Sequence, residues 1–325
     1  MLRWGILGTA KINRRVIPAI RLAGRSKLVA VASRTRARAD AFAAEWNIPR
    51  AIEGYQTLVD DPAIDAIYIP LPNSEHVPWT LAAIAAGKHV LCEKPMALDP
   101  ADIDRIHAAA AAAKVVVEEG FMYRHEPLTH KVLDLVHGGA LGTVRAIVSG
   151  FTFTLANSAD VRLDPALGGG SLWDIGCYPV TYARLLAGHD PKMVFGSAHW
   201  HAGGVDEEFM GMLRFPGGTT ATIYSGFRAA FRTWLEVIGT DGSLTVPNPF
   251  KPGLREVLEL ERNGRVEAIE VAGSPALFVR QIEDFERSVL DSAPTVVTLA
   301  DSRYAAATMA ALLDSARDTA AMYPQ

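Results

Sequence analysis

Leu2-Arg3-Trp4-Gly5-Ile6-Leu7-Gly8-Thr9-Ala10-Lys11-Ile12-Asn13 opens the chain with an apolar run, a glycine turn and the start of a helical pattern. Leu2–Leu7 has the length and composition of a buried strand. Gly8 stands where a dinucleotide-binding fold makes its tight turn, just before the helix start that meets a pyrophosphate. The full fingerprint of such a turn is G-x-G-x-x-G; here Gly8 keeps the first position, while Ala10 and Asn13 occupy the second and third. Taken alone, the stretch fits an ordinary strand-turn-helix corner as well, so its surroundings decide.

Outward from it, the apolar runs Leu28–Ala32, Ala66–Ile69, His89–Cys92 and Val115–Glu118 alternate with the helical stretches Ile12–Ala23, Arg36–Trp46, Val77–Ala86 and Ile103–Ala113. This βαβα rhythm predicts a parallel, doubly wound sheet. The second strand runs into Ser33-Arg34, about 25 residues after Gly8. A carboxylate at this place binds the ribose diol of NAD. Ser33 and Arg34 offer a hydroxyl and a guanidinium instead, which suit a 2′-phosphate, and Arg38 adds a second guanidinium. NADP is therefore expected in preference to NAD; the alternative is that Arg34 is a surface arginine.

After Tyr123 the pattern changes. Leu128–Val136 reads as a helix closed by Gly138-Gly139. Strand-like runs then follow at Val144–Thr154, Val194–Trp200, Phe209–Phe215, Thr219–Tyr224, Trp234–Gly239, Ser243–Val246, Glu256–Leu260 and Val266–Val271. Pro216-Gly217-Gly218 and Asn263-Gly264 read as hairpin turns. Such a succession predicts a mostly antiparallel sheet. Helices at Tyr178–Leu186, Leu277–Leu290 and Ala300–Met322 are expected to cover one face of it, leaving the other for a partner subunit.

Composition removes several classes of function. The 325 residues are 49% hydrophobic, enough for a substantial core. The net charge is −4 and no long basic run occurs, which argues against a nucleic-acid partner. No window approaches the roughly 20 apolar residues of a membrane span. The two cysteines, Cys92 and Cys177, make no disulfide framework and fit a reducing compartment. With no signal-peptide pattern before the first strand, a cytoplasmic location is expected. His199 and His201 alternate around Trp200, but no cysteine or carboxylate completes a zinc spacing, so no metal site is expected.

Two motifs carry chemistry. Glu93-Lys94-Pro95 ends the apolar run His89–Cys92, which puts a lysine at the C-terminal end of a strand, where open α/β sheets bind ligands. The second, Gly168-Gly169-Gly170-Ser171-Leu172-Trp173-Asp174-Ile175-Gly176-Cys177-Tyr178, offers an acid and a phenol about one helical turn apart, behind a glycine run. A lysine, an acid and a phenol form a set that can move a proton on and off a hydroxyl. Each also has a plainer reading: an exposed loop lysine, a helix-start acid and a core aromatic.

These motifs stand in order with Leu71-Pro72-Asn73-Ser74-Glu75-His76, Ala86-Gly87-Lys88-His89 and Glu119-Gly120-Phe121-Met122-Tyr123-Arg124. The ordered set resembles the glucose-fructose oxidoreductase/inositol dehydrogenase (Gfo/Idh/MocA) family over nearly the whole chain. The resemblance implies an α/β fold: an N-terminal Rossmann domain with a doubly wound parallel sheet, expected over 1–122, plus a C-terminal α+β domain with a large, open, mostly antiparallel sheet, expected over 123–325. It implies a homodimer or homotetramer assembled through that C-terminal sheet.

It also implies roles. The family's catalytic lysine falls on Lys94, its aspartate on Asp174 and its acid/base on Tyr178. Many members have histidine at the last position; tyrosine resembles the branch of glucose-fructose oxidoreductase, dimeric dihydrodiol dehydrogenase, aldose dehydrogenase and deoxysugar ketoreductase. Cofactor contacts are implied for Gly8, Thr9, Ala10, Lys11, Ile12, Ser33, Arg34, Arg38, Leu71, Pro72, Asn73, His76, Glu93, Lys94 and Arg124. Substrate contacts are implied for Lys94, Asp174 and Tyr178, and Tyr123, Phe153, Trp173 and Trp234 are aromatic candidates for stacking on a sugar ring. Several have a second reading: Asn73 as a helix cap, His76 as a packing residue, Arg124 as a brace between domains, and the aromatics as core.

The physical account gives the phenol help. A free phenol has a pKa of about 10, and a neighbouring ammonium favours its ionised form. Lys94 would supply that charge, Asp174 would accept a second substrate hydroxyl, and the nicotinamide would carry the hydride. The expected activity is NADP-dependent oxidation of an aldose at C1 to a lactone. The alternatives are keto-sugar reduction, dehydrogenation of a trans-dihydrodiol, and, in another class, a catalytically silent NADP-binding sensor.

Overall fold

Strand and helix signals near the N-terminus resolve into one parallel sheet. A computed structural model describes residues 1–322. Its first sheet contains β1 (Leu2–Leu7), β2 (Ser26–Ser33), β3 (Arg50–Glu53), β4 (Ala66–Ile69), β5 (His89–Glu93) and β6 (Val117–Gly120). The order is β3-β2-β1-β4-β5-β6 with every neighbour parallel. Parallel strands are buried on both faces, which is why β1 and β4 are almost continuously apolar. Crossovers are made by α1 (Asn13–Leu22), α2 (Arg36–Trp46), the short α3 (Tyr55–Val59), α4 (Asn73–Ala85) and α5 (Pro100–Ala113). Asp99 caps α5 by accepting the Ala101 N–H at 2.8 Å, with Pro100 at the first helical position. Strand order reverses between β1 and β4, the switch point where such sheets open a ligand crevice.

The remaining elements are α6 (Pro127–His137), β7 (Val144–Thr154), α7 (Cys177–Ala187), β8 (Met193–Trp200), β9 (Asp206–Arg214), β10 (Thr220–Gly226), β11 (Arg228–Gly239), β12 (Gly242–Val246), β13 (Arg255–Arg262), β14 (Arg265–Ala272), α8 (Val279–Leu290) and α9 (Leu299–Met322). The second sheet has eight strands in the order β14-β13-β12-β11-β7-β10-β9-β8. It is antiparallel throughout except where β7 runs parallel to β10.

The chain forms two compact units: Met1–His125 with Pro275–Arg303, and Glu126–Ser274 with Tyr304 onward. The expected division at 122/123 thus lacks the return of residues 275–303 to the first unit. In consequence α8, expected from its place in the sequence to belong with the C-terminal sheet, is part of the first unit. Its Phe285 packs on Trp4 of β1 at 5.1 Å between ring centroids. Its Glu286 accepts the Arg25 N–H at 3.1 Å, and Arg25 pairs with Asp291 at 2.6 Å. An amphipathic helix advertises a buried face but not which sheet it will find. No described helix is long and apolar enough to cross a membrane.

Candidate active site

The turn after β1 is built around Gly8. Its φ is +92°, a region that favours glycine, and a Cβ there would lie 2.9 Å from the Leu71 side chain and 3.5 Å from the Tyr55 hydroxyl. Asn13, at the third glycine position, is buried and donates its side-chain N–H to the Gly8 carbonyl at 2.9 Å. An amide therefore closes the turn where the fingerprint has glycine. Arg38 reaches across from α2 to the Thr9 hydroxyl at 3.3 Å. Arg34 and Arg38 both act on the Tyr55 phenol, whose pKa burial raises and these two guanidiniums pull back. Arg36 does not join them: it turns along α2 to Asp40 at 2.9 Å. A bare backbone turn at a helix start, flanked by two guanidiniums, fits the pyrophosphate and 2′-phosphate of a dinucleotide. Ser33 is buried at the end of β2, and Lys11, Arg34 and Arg38 are exposed.

The loop after β4 lies against the one after β5. α4 begins at Asn73 itself, with Pro72 before it, so Asn73 is the first helical residue and not the cap of a helix starting near Val77. His76 is buried between two carbonyls, Nδ1 2.8 Å from the Pro95 oxygen and Nε2 2.8 Å from the Leu71 oxygen. Burial lowers its pKa to about 4, so the imidazole is neutral near pH 7. Glu93 accepts the Tyr68 hydroxyl at 2.6 Å. Lys94 follows at the carboxyl end of β5, joined to Pro95 by a cis peptide. From β6, Glu119 accepts the Met96 N–H at 2.8 Å. Sequence reading gave Glu119 no role, although it opens the Glu119–Arg124 motif and stands with Glu118 in a fully buried strand.

In the other unit, Asp174 and Tyr178 are displayed by an unusual turn. Leu172–Gly176 is a π-helix that runs into α7. Single π turns inside helices recur at functional sites because they widen the backbone and re-aim side chains. The turn hangs on buried Asp206 of β9, which accepts the Ser171 hydroxyl and the Leu172 N–H, both at 2.7 Å. Gly170 is required there: its φ is +117°, and a Cβ would lie 2.3 Å from an Asp206 oxygen. Burial raises Asp206 to about 6. Asp206→Ala is expected to cost about 2–4 kcal/mol, because two buried donors lose their acceptor. A drop in the thermal midpoint, read by calorimetry, checks this; an unchanged midpoint contradicts it.

Asp174 forms an ion pair with Arg162, Nε to Oδ2 at 2.5 Å, and Arg162 also meets Asp160 at 3.1 Å. Sequence reading missed Arg162, which lies in a short 3-10 turn, Val161–Leu163, capped by Asp160 and outside any motif. The charge of Asp174 raises the arginine's pKa further. The Tyr178 ring packs on Phe151 at 5.6 Å and on Phe250 at 5.5 Å. Phe153 stands beside them, 6.5 Å from Phe151, with the Arg162 guanidinium 5.9 Å over its ring. Lys251 brings its ammonium to 4.7 Å from the Phe151 ring. The phenol, the carboxylate and two cations thus gather around one aromatic cluster.

The other sequence candidates are placed within their own units. Tyr123 is wholly buried, edge-on to Phe121 at 6.0 Å. Arg124 donates to the Val296 carbonyl at 3.2 Å, tying the returning segment to the first unit. Trp173 is buried within the π turn. Trp234 is paired with Gly150, one residue from Phe151, so it lies on the opposite face of the sheet, next to Tyr224 at 6.5 Å. His199 approaches Glu207 at 4.0 Å, and His201 accepts the Gly203 N–H at 3.0 Å. Among the described residues no three of His, Cys, Asp and Glu converge as a metal site.

Comparison with known proteins identifies the family. Residues 2–121 match the Gfo/Idh/MocA oxidoreductase family, NAD-binding Rossmann fold, and residues 129–245 match the Gfo/Idh/MocA C-terminal domain. The chain is 37% identical over 325 residues to D-xylose 1-dehydrogenase (NADP(+)) 2 of Haloferax volcanii, covering 99% of each. It resembles the crystal structure of an aldose-aldose oxidoreductase from Caulobacter crescentus complexed with glycerol, with TM-score 0.91, 30% identity and 98% of each chain covered. A 3-ketoreductase from Actinomadura kijaniata, solved with NADP and TDP-benzene, gives TM-score 0.89 at 31% identity, covering 98% of this chain and 97% of that one. With both of its halves matched and a relative aligned over its length, the chain belongs to the Gfo/Idh/MocA family of oxidoreductases.

Proposed function

We propose that this oxidoreductase is an NADP-dependent aldose dehydrogenase that oxidises the C1 hydroxyl to a lactone. The observation that carries the reading is the aromatic cluster in which Tyr178 and the Arg162-paired Asp174 stand together. Tyr178 accepts the hydroxyl proton, Lys94 supplies the charge that favours the phenolate, and Asp174 accepts a hydrogen bond from a second hydroxyl. Arg162 pairs with Asp174 and orients its carboxylate. NADP, when bound, supplies the hydride chemistry. Gly8, Thr9, Ala10, Lys11 and Ile12 hold its pyrophosphate end, Ser33, Arg34 and Arg38 its 2′-phosphate, and the Leu71–Asn73 loop, Glu93 and Lys94 the nicotinamide side. The likeness to an NADP(+)-named xylose dehydrogenase supports both the cofactor and the sugar class.

A second reading, reduction of a keto-sugar or dehydrogenation of a cyclic diol, is favoured by one feature. Phe231 is exposed, with the Lys251 ammonium 5.5 Å from its ring, a pairing that suits an aromatic or anionic group on the substrate. The deciding test follows NADPH absorbance with D-xylose, other aldoses, cyclitols and cyclic diols. Reduction of NADP by an aldose is expected. Turnover only in the ketone-reducing direction, or only with diols, moves the assignment to the second reading. Tight NADP binding with no turnover anywhere makes the chain a sensor.

We infer further that the protein is a homo-oligomer joined through the outer face of the second sheet. Phe195 and Met212 are paired neighbours on β8 and β9, and Met210 lies one repeat along; all three are exposed. Such a side-by-side apolar row is costly to leave in water. Met212→Glu is expected to convert the oligomer to monomer in light scattering; an unchanged mass removes this face from the interface. Cys92 and Cys177 are buried and neither is in a disulfide, which supports a cytoplasmic location.

A further inference from the structure

Two buried titratable side chains grip the turn that follows β5, one from each side. Glu119 of β6 accepts the N–H of Met96, and His76 of α4 faces the carbonyl of Pro95, each at 2.8 Å. These are the two residues after Lys94, so the backbone that carries the ammonium is fixed by groups that can change charge. β5 and β6 pair in the register Cys92 with Glu119, which sets this carboxylate on the strand adjoining that of Lys94. Both gripping side chains are buried, at 2% and 1% exposure.

We propose that Glu119 is a positioning residue for Lys94: its carboxylate holds the Met96 N–H and draws on the Lys94 ammonium, and its protonation loosens that hold, so turnover follows the charge of a group that touches no substrate. The inference rests on the role of Lys94 proposed above. The groups facing Glu119 are Lys94 and Glu93 at the end of β5, Cys92 within it, and the Ser302 hydroxyl of α9. Burial pushes Glu119 up to about 7; Ser302, the Met96 N–H and Lys94 pull it down, and Glu93 adds to the rise. His76 has been taken down to about 4, chiefly by burial, so it stays a neutral strut while Glu119 changes charge near neutral pH. An ionised acceptor makes the stronger hydrogen bond, so the turn is held best above that range.

The test uses the whole protein and two readouts. In carbon-13 carboxyl NMR of glutamate-labelled protein, one resonance titrating near pH 7 is expected. It should vanish in Glu119→Gln and move to higher pH in Lys94→Ala, which removes a neighbouring cation. In NADP reduction with D-xylose, kcat is expected to fall below about pH 7 in the wild type. Glu119→Gln, neutral at every pH, flattens that limb near the lower, acid-side rate. Glu119→Ala lowers kcat about tenfold above about pH 7 with the KM for NADP unchanged, and glutamine, which keeps an acceptor for the Met96 N–H but carries no charge, restores only part of the loss. A Glu119→Gln enzyme with the wild-type limb, or a resonance indifferent to Lys94→Ala, overturns the inference. A Lys94→Ala enzyme that turns over at the wild-type rate instead overturns the role of Lys94. If D-xylose is not a substrate, the resonance alone decides.

Discussion

Tyr178→Phe is expected to lower kcat by about 10²- to 10⁴-fold, the usual share of a positioned acid or base, while the Kd for NADP stays within about twofold. The substitution is clean because the ring is held by packing. It lies against Phe151 and Phe250, stands at the start of α7, and is 5% exposed. Phenylalanine keeps those contacts and removes only the hydroxyl. The π turn that presents it is anchored through Asp206, so the local backbone does not depend on the phenol. Cofactor affinity is the control, since the turn around Gly8 and the guanidiniums of Arg34 and Arg38 belong to the other unit. NADPH absorbance at saturating sugar reads the first quantity, and NADPH fluorescence titration reads the second. A variant that turns over within about threefold of wild type removes Tyr178 as the proton acceptor. Equal losses in turnover and NADP affinity would mean a structural role instead.

Much of this arrangement was legible because its parts are local. The alternation of apolar runs and helices gave the parallel sheet, and Pro216-Gly217-Gly218 and Asn263-Gly264 fell at hairpin turns. What escaped is non-local or short. β3 is a four-residue edge strand with only Ile52 buried, too little pattern to read. β11 begins at Arg228, ahead of the apolar run at Trp234, because a register shift between Arg228 and Arg232 interrupts the alternation. α8 carries a clear buried face, yet only tertiary contacts with Trp4 and Arg25 show that it belongs to the first unit. Arg162 precedes Asp174 by a stretch that holds Asp164 and three glycines, and nothing in its neighbours marks it. Asp206 and Glu119 each stand beside other acids in their strands, where sequence alone cannot separate a solvated edge from a buried anchor.

Arg34→Ala is expected to raise the KM for NADP by about 10- to 100-fold, the loss of one charge-assisted contact, and to leave the KM for NAD within about twofold. The argument runs through what each arginine already does. Arg36 is held by Asp40, so its charge is spent along α2. Arg38 is engaged with the Thr9 hydroxyl beside the Gly8 turn. Arg34 is exposed just past the end of β2, and its charge reaches the Tyr55 phenol, which itself stands by Gly8. That is the place where a carboxylate would claim the ribose diol of NAD and repel a phosphate. Because the 2′-phosphate is the one difference between the two cofactors, the ratio of their KM values isolates it from general damage to the fold. High salt should weaken NADP binding in the wild type more than in Arg34→Ala, since screening acts on a pairing the variant lacks. Equal rises for NADP and NAD would assign Arg34 to the fold of the β2–α2 corner and leave Arg38 to carry the phosphate.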